Sequence, residues 1–137
     1  MSFDASLILS YLPQILKGLG VTLMLWIIGS ALGLAVGFLV AVGRRYGPAP
    51  LGWLLRGIVE VIRGTPFLIQ VFLLYYGGPF IGLRLENIPA GILALTIYAA
   101  AYYSEIWRAG FDAIPKGHVE AADCVGFSQW QTLRRII

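Results

Sequence analysis

Residues 18–43 read GLGVTLMLWIIGSALGLAVGFLVAVG and contain no Asp, Glu, Lys or Arg. About 20 consecutive apolar residues are enough for a helix to cross a bilayer. The run is longer than the hydrophobic segment of a signal peptide, which has about 7 to 15 residues, and the residues before it include Asp4. The stretch therefore predicts a membrane-spanning helix rather than a cleaved leader.

The composition of the whole chain agrees with a membrane location. Of its 137 residues, 58% are hydrophobic and 12% are charged, whereas a soluble domain carries about 25% charged residues. The surplus of apolar residues must face lipid or another subunit. A single cysteine and a single histidine, Cys124 and His118, exclude an internal disulfide framework and a metal constellation. A net charge of +3 is too small to indicate a nucleic-acid partner.

Two further apolar stretches follow the first. The second, 52–77, carries charges only in its first half, and the third, 88–106, is charge-free up to Ser104. Together with 18–43 they predict an all-α membrane protein with three transmembrane helices in a single domain over residues 1–137. The remaining stretch, 107–137, is mixed and charged.

The basic residues predict how the chain is oriented. Eight of the ten Lys and Arg fall between the charge-free stretches of the first two spans, 18–43 and 64–83, or after the third span. They are Arg44, Arg45, Arg56, Arg63, Arg108, Lys116, Arg134 and Arg135. Because basic residues near span ends favour the cytoplasm, the amino terminus and the loop 79–87 are expected outside and residues 107–137 inside.

Three glycines recur every four residues within the first span. Gly29, Gly33 and Gly37 share one helix face, which allows another backbone to approach closely. The pattern predicts a helix–helix contact at this face. The alternative, that glycine is simply frequent in membrane helices, stays open.

The segment EVIRGTPFLIQ, residues 60–70, interrupts the second span. Its charges lie at helical spacing and can neutralise one another, as Arg56 with Glu60 and Glu60 with Arg63. Gly64 and Pro66 are expected to break the helix, since Pro66 has no N–H, and the carbonyls so freed need cover. An ordinary interfacial start of a helix is the alternative, but it leaves Gln70 unexplained.

The last part of the chain predicts two short helices joined by a turn. Pro115 can open a helix with Val119, Ala122 and Val125 on one face, and Gly126 can end it. Ser128 and Gln131 have capping-box spacing and start a second helix. That helix carries Trp130, Leu133 and Ile136. Such an amphipathic hairpin can lie on lipid or insert into a groove of a partner, and the residues do not choose.

The hairpin resembles a known element. Glu120, Ala121, Ala122, then Gly126 and Ile136 have the spacing of the EAA loop of bacterial ATP-binding-cassette (ABC) importer permeases. The stretches 101–117 and 63–70, and the entry into the first span at 20–23, are similar to the polar amino-acid branch of that family. The resemblance covers nearly the whole chain and implies a fold like that of type I importer permeases.

The resemblance implies a subunit of the bacterial cytoplasmic membrane that forms half of a translocation pathway. Its expected partners are a second permease, identical or similar, a separate cytoplasmic ATPase and an extracytoplasmic solute-binding protein. Glu105 and Arg108 would lie where the third span meets the coupling loop. The residues that would shape and dock that loop are Gly117, Glu120, Ala121, Ala122 and Gly126. ATP would be bound by the partner, so no cofactor and no catalytic activity are expected here. The sequence agrees, since it lacks a Gly-x4-Gly-Lys-Ser/Thr motif.

Candidate substrate contacts are Gln70, Tyr98 and Tyr102, with Thr96 as a lesser candidate. An amino acid needs a few polar partners in a cavity that is otherwise apolar and aromatic. For each tyrosine, an interfacial or helix-packing role is the alternative.

Family members continue beyond the EAA loop into two further helices, so this chain is expected to be incomplete. We expect that it does not transport alone and that its glycine face lacks a partner. Two other classes use the same apolar spans. A channel or secondary carrier would move solute without ATP but gives no reason for an EAA hairpin, and a small membrane adaptor would bind a partner through the hairpin without any pathway.

Overall fold

The computed structural model describes residues 5–136, and all regular structure within that range is helical. The α-helices are α1 Ala5–Tyr46, α2 Ala49–Gly64, α3 Phe67–Phe72, α4 Asn87–Asp112, α5 Lys116–Cys124 and α6 Gln129–Arg135. α3 continues into a π-helical turn, Leu73–Gly77, and a 3-10 turn, Gly78–Ile81. The predicted all-α architecture is confirmed.

The packing of α1 against α4 is the main contact of the fold, and the glycine face lies within it. A methyl group at Gly33 would lie 2.6 Å from Cβ of Ala99, and one at Gly37 would lie 2.8 Å from Cβ of Tyr103. At Gly29 the same group would meet Leu95. The predicted helix contact is confirmed. The expectation that the glycine face lacks a partner is wrong, because α4 fills it.

α1 and α4 run in the same direction. We call the contact between α1 and α4 the seam. Residue numbers rise together along it, from Leu25 opposite Gly91 to Gly33 opposite Ala99 and Gly37 opposite Tyr103. Two parallel helices cannot be joined by a short turn, so the chain between them has to return along their length. Residues 47–86, which contain α2 and α3, make that return.

Both long helices exceed the predicted spans. α1 has 42 residues and includes Pro13 and Lys17, since the charge-free run marks only its apolar part. α4 runs six residues past the expected end at 106. It continues because the rings of Trp107 and Phe111 pack edge-on against Phe38 of α1, with ring centroids 5.1 and 6.2 Å apart. The first part of the predicted cytoplasmic stretch is therefore the end of α4.

The second predicted span, 52–77, is not one helix. α2 ends at Gly64, α3 begins at Phe67, and the segments on the two sides meet at 108°. The predicted interruption by Gly64 and Pro66 is confirmed, but the turn is far sharper than a proline kink. Thr65 and Pro66 are both extended, which redirects the chain instead of bending a continuous helix.

Apolar length differs among the helices. Within the described part of the chain, Ser10–Tyr46 is the helix segment that is long and apolar enough by itself to cross a bilayer, with a mean hydropathy of 2.3 over its most apolar part. The bent pair Ala49–Gly64 and Phe67–Ile81 meets the same requirement when taken together. Large apolar side chains lie open along these segments, among them Leu39, which is 67% exposed, and Phe80, which is 92% exposed.

A small core joins the carboxyl ends of α1 and α4 to α6. Ala41, Phe111 and Leu133 are buried there. Side chains packed around them are Phe38, Val42, Tyr46 and Trp107. Through Leu133, this core fixes the last helix of the chain against the two long ones.

Candidate functional site

The turn after α5 is built around a glycine in the left-handed region. Gly126 has φ +76°, a conformation that costs an L-residue with a side chain about 1–2 kcal/mol. The amide of Phe127 donates to the carbonyl of Ala122 and that of Gly126 to Asp123, both at 3.0 Å. This is a Schellman motif, and it ends the helix where the sequence predicted a stop.

α6 begins with the predicted capping box. The amide of Gln131 donates to Oγ of Ser128 at 3.3 Å, and the amide of Ser128 donates to Oε1 of Gln131 at 2.8 Å. Two amides at the start of the helix are thereby satisfied without help from elsewhere. α5, the glycine turn and α6 form what we call the hairpin, residues 116–135.

The hairpin has an anchored side and an open side. Leu133 and Ala122 are buried, while Trp130 is 65% exposed. The other predicted coupling residues are exposed: Gly117, Glu120, Ala121 and Gly126. Ala122 is therefore a packing residue, and the rest of the motif lies on the open side. Val125 was expected on the face of Val119 and Ala122, but it follows the last turn of α5 and is 69% exposed.

Glu105 and Arg108 belong to an ionic network where α1 and α4 end. The carboxylate of Glu105 accepts from Arg44 of α1 and, at 2.9 Å, from Nε of Arg108. Arg108 also contacts Asp112 at 2.8 Å, and Arg45 lies 3.5 Å from the same carboxylate. The sequence placed Glu105 and Arg108 near this junction but missed Arg44 and Arg45 as partners. The glycine register would have revealed them, because in a parallel pair it brings residues 44–45 beside the end of α4.

Gln70 makes hydrogen bonds to the backbone at the break between α2 and α3, which consists of Thr65 and Pro66. Its amide nitrogen shares two hydrogens among three acceptors, the carbonyl of Ile62 at 2.7 Å, the carbonyl of Thr65 at 3.1 Å and Oγ1 of Thr65 at 2.8 Å. The hydroxyl of Thr65 donates in turn to the carbonyl of Val61 at 3.0 Å. The carbonyls that Pro66 leaves free are thus covered from within the same segment. The amide nitrogen of Gln70 serves the bend and is not free for a substrate.

Tyr98 and Tyr102 come together, but not with Gln70. Their hydroxyls are 3.2 Å apart, and the Tyr98 ring packs against Phe67 at 5.0 Å between centroids. The guanidinium of Arg63 lies 5.3 Å from the centre of the Tyr102 ring. Arg56 and Glu60 form the predicted pair at 2.9 Å, whereas Arg63 turns to the tyrosine. We call Arg63, Phe67, Tyr98 and Tyr102 the aromatic row.

A largely apolar cavity of about 400 Å³ lies on the other side of the break. Gln70 and Thr65 are on its wall with Ile62, Leu73, Ala94 and Ile97. The tyrosines do not line it, so the three predicted substrate contacts do not share one cavity. Thr96 is buried, and its hydroxyl donates to the carbonyl of Ile92 at 2.7 Å, which makes it a helix-packing residue of α4.

Comparison with known proteins gives a consistent result. The family model described as "binding-protein-dependent transport system inner membrane component" matches residues 29–137. The probable amino-acid ABC transporter permease protein YckA of Bacillus subtilis (strain 168) is 33% identical over 98% of this chain and 60% of its own. The glutamine transport system permease protein GlnP of Escherichia coli (strain K12) is 36% identical over 100% of this chain and 64% of its own.

A solved structure agrees with these relatives. The crystal structure of an amino acid ABC transporter with histidines superposes with a TM-score of 0.85 at 34% identity, and the match covers 98% of this chain and 63% of that one. The chain thus spans less than two thirds of the length of the relatives it matches.

Proposed function

This chain belongs to the family of inner membrane components of binding-protein-dependent transport systems, and on that premise we propose that it is a permease subunit of an ATP-driven importer for polar amino acids. The observation that carries the proposal is the hairpin. It is anchored on the core by Leu133 and presents the exposed residues of the EAA motif on its open side. An anchored amphipathic element with an open face suits insertion into a groove of a partner.

The coupling role follows from how the hairpin is fixed. The core joins α6 to the carboxyl ends of α1 and α4, so a push on the hairpin reaches both long helices directly. Glu105 and Arg108 add an ionic tie between α1 and α4 at the same end. We place the ATPase on this side as a separate cytoplasmic subunit that binds and hydrolyses ATP, with no enzymatic step in this chain.

The transmembrane arrangement has three crossings within a single domain over residues 1–137. α1 and α4 are parallel, which requires the chain between them to cross back, and the bent pair of α2 and α3 is apolar enough to do so as one broken span. The distribution of basic residues favours an orientation with the amino terminus outside and the hairpin in the cytoplasm, and we propose that orientation. Broken segments at membrane depth are found where they line a cavity or are covered by protein.

The remaining partners that we propose are lipid, a second permease subunit and a solute-binding protein. Open apolar side chains such as Trp26 and Leu39 on α1 suit lipid and a second permease subunit, identical or similar. A solute-binding protein would deliver the amino acid from outside. The aromatic row, with Tyr98, Tyr102 and the cation of Arg63, is the part of the pathway that we assign to substrate contact, and Gln70 supports the bend beside it.

The test is capture of ATPase subunits from the same cell by the detergent-solubilised chain. A Gly126→Val change puts a β-branched residue at φ +76°, which is strongly disfavoured. A cost of about 1–2 kcal/mol in the turn predicts a loss of capture of roughly 5- to 30-fold.

Gly110→Val is the matched control, because Gly110 is exposed, lies in regular helix and has open space around it. Circular dichroism checks that both variants keep their helical content. Equal capture by the two variants, or no ATPase captured by the unmodified chain, would contradict the proposed coupling role.

A further inference from the structure

A polar cavity of about 350 Å³ lies in the corner between the end of α1 and the start of α2. Neither the hairpin nor the aromatic row includes it. Its wall carries four arginines, one carboxylate and an indole: Arg44, Arg45, Arg56, Arg108, Asp112 and Trp53. We call it the arginine pocket.

The arginine pocket has an excess of positive charge. Its four guanidinium groups are in contact with three carboxylates, those of Glu60, Glu105 and Asp112, which leaves one positive charge unbalanced. Arg45 is the least neutralised, because its contact with Asp112 is long, at 3.5 Å. Its guanidinium is held 5.7 Å from the centres of the Tyr46 and Phe111 rings. The cation is therefore positioned by aromatic packing and is available to an anion.

The backbone of the corner adds to this charge. The first turn of α2 lines the pocket through Ala49 and Gly52, and the residue before the helix, Pro48, supplies no side-chain cap. The amino-terminal end of a helix carries a partial positive charge that favours anions. The corner is tight, since a side chain at Gly47 would collide with the carbonyl oxygen of Gly43.

A shallow apolar groove on the surface of α2 continues from the pocket. Its wall consists of Trp53, Leu54, Gly57, Ile58, Val61 and Ile62, so Trp53 belongs to both. From Trp53 to Ile62 the helix rises about 14 Å, close to the ~15 Å hydrocarbon depth of a single leaflet. Trp53 is 80% exposed, and tryptophan is favoured at the membrane interface.

From this adjacency we propose that the arginine pocket and the groove together bind one anionic phospholipid. The phosphate of the headgroup lies between Arg45 and Arg56, and an acyl chain follows the groove over Gly57. Guanidinium groups bind phosphate oxygens in charge-assisted hydrogen bonds, and basic pockets on the cytoplasmic side of membrane helices are suited to anionic headgroups. A water-soluble phosphate would use the pocket alone, whereas the groove requires a ligand with an apolar tail. The proposal rests on the membrane location of the chain and is independent of the coupling role of the hairpin.

The probe is dibrominated phosphatidylglycerol in phosphatidylcholine nanodiscs that hold the chain, with dibrominated phosphatidylcholine at the same mole fraction for comparison. Bromine quenches nearby indoles, and the difference between the unmodified chain and a Trp53→Phe variant isolates the signal of Trp53. We expect stronger quenching by the phosphatidylglycerol probe. The preference should fall roughly fivefold for each of Arg45→Gln and Arg56→Gln.

Two further variants test the role of the groove and the position of the charge. Gly57→Leu fills the groove, since a Cβ at residue 57 has no neighbour within 4 Å, and it should also weaken the preference. Arg134→Gln makes the same charge change on α6 and should leave the preference intact. Equal quenching by both probes, or an equal loss in the α6 variant, would overturn the proposal.

Competition decides between lipid and soluble anion. Inorganic phosphate at millimolar concentration should not remove the preference. If it does, and Gly57→Leu has no effect, then the pocket binds a water-soluble anion and the lipid assignment is wrong. Capture of the ATPase, measured on the Arg56→Gln variant, should be unchanged, which keeps this test separate from that of the hairpin.

Discussion

The α1–α4 seam and the break between α2 and α3 bring helices together by different means. At the seam, Gly33 and Gly37 remove side chains so that two backbones meet with little room to spare. At the break, Gln70 and Thr65 cover exposed carbonyls with hydrogen bonds from within the same segment. The seam is therefore stabilised by close packing of complementary shapes, whereas the break is stabilised by hydrogen bonds to its backbone carbonyls.

This difference affects which region can change conformation. Close-packed surfaces tolerate few alternative arrangements, because a shift at one contact disturbs its neighbours. The break borders an open apolar cavity, and nearby side chains such as Leu73 are 67% exposed, so fewer contacts hold it. Regions with few buried contacts open at lower free energy than packed ones. We therefore expect the seam to behave as a rigid unit and the break to be where local opening occurs.

The largest expected effect comes from a methyl group at the centre of the seam. In Gly33→Ala the new Cβ would lie 2.6 Å from Cβ of Ala99, a short and rigid side chain that cannot turn away. We expect the free energy of unfolding to fall by about 1–3 kcal/mol. Unfolding in detergent micelles, followed by circular dichroism, measures the change.

Gly20→Ala is the control for the seam, since it is on the same helix and has nothing within 4 Å. There the methyl group should be neutral or stabilise the helix by up to about 1 kcal/mol. The two substitutions are therefore expected to differ in sign. If Gly33→Ala is as stable as Gly20→Ala, the seam is not close-packed and the comparison fails.

An intermediate effect is expected at the break. Gln70→Leu keeps the approximate size of the side chain but removes the donor to the carbonyls of Ile62 and Thr65, a loss of about 1–2 kcal/mol. Because the bonds are local, the loss should appear as faster hydrogen exchange at the amides of Ile69 and Gln70, which donate to Pro66.

Ile69→Leu is the control at the break, because residue 69 lines the same cavity without making a polar contact there. It should leave the exchange rates nearly unchanged. A Gln70→Leu variant whose seam amides exchange faster by the same factor would show that break and seam open as one unit, which would remove the distinction between them.

Some features of these regions could be predicted from the sequence and others could not, because some depend on nearby residues and others on contacts between distant parts of the chain. Glycine spacing predicted the contact face of α1, and local signals predicted the helix stop at Gly126 and the capping box at Ser128, because each depends on residues within one or two turns. The partner of the glycine face and the contact of Glu105 with Arg44 were missed because they depend on the register between two helices far apart in the chain. Gln70 was noticed as polar, but its role depends on the 108° turn, whose size no spacing in the sequence encodes.

The smallest expected effect is at the aromatic row, which lies beside the break. Tyr102→Phe keeps the ring that faces the guanidinium of Arg63 at 5.3 Å and the Tyr98 ring at 4.8 Å, and removes only the hydroxyl contact of 3.2 Å. We expect a loss of about 0.5 kcal/mol in the free energy of unfolding, while Tyr102→Leu, which also removes the cation–π contact and the ring pair, should cost about 1 kcal/mol or more. The pair of variants, measured in the same micelles as Gly33→Ala, separates ring packing from hydroxyl bonding. If Tyr102→Phe costs as much as Tyr102→Leu, the hydroxyls dominate, and this side of the break would be held by polar bonds as strongly as Gln70 holds the other.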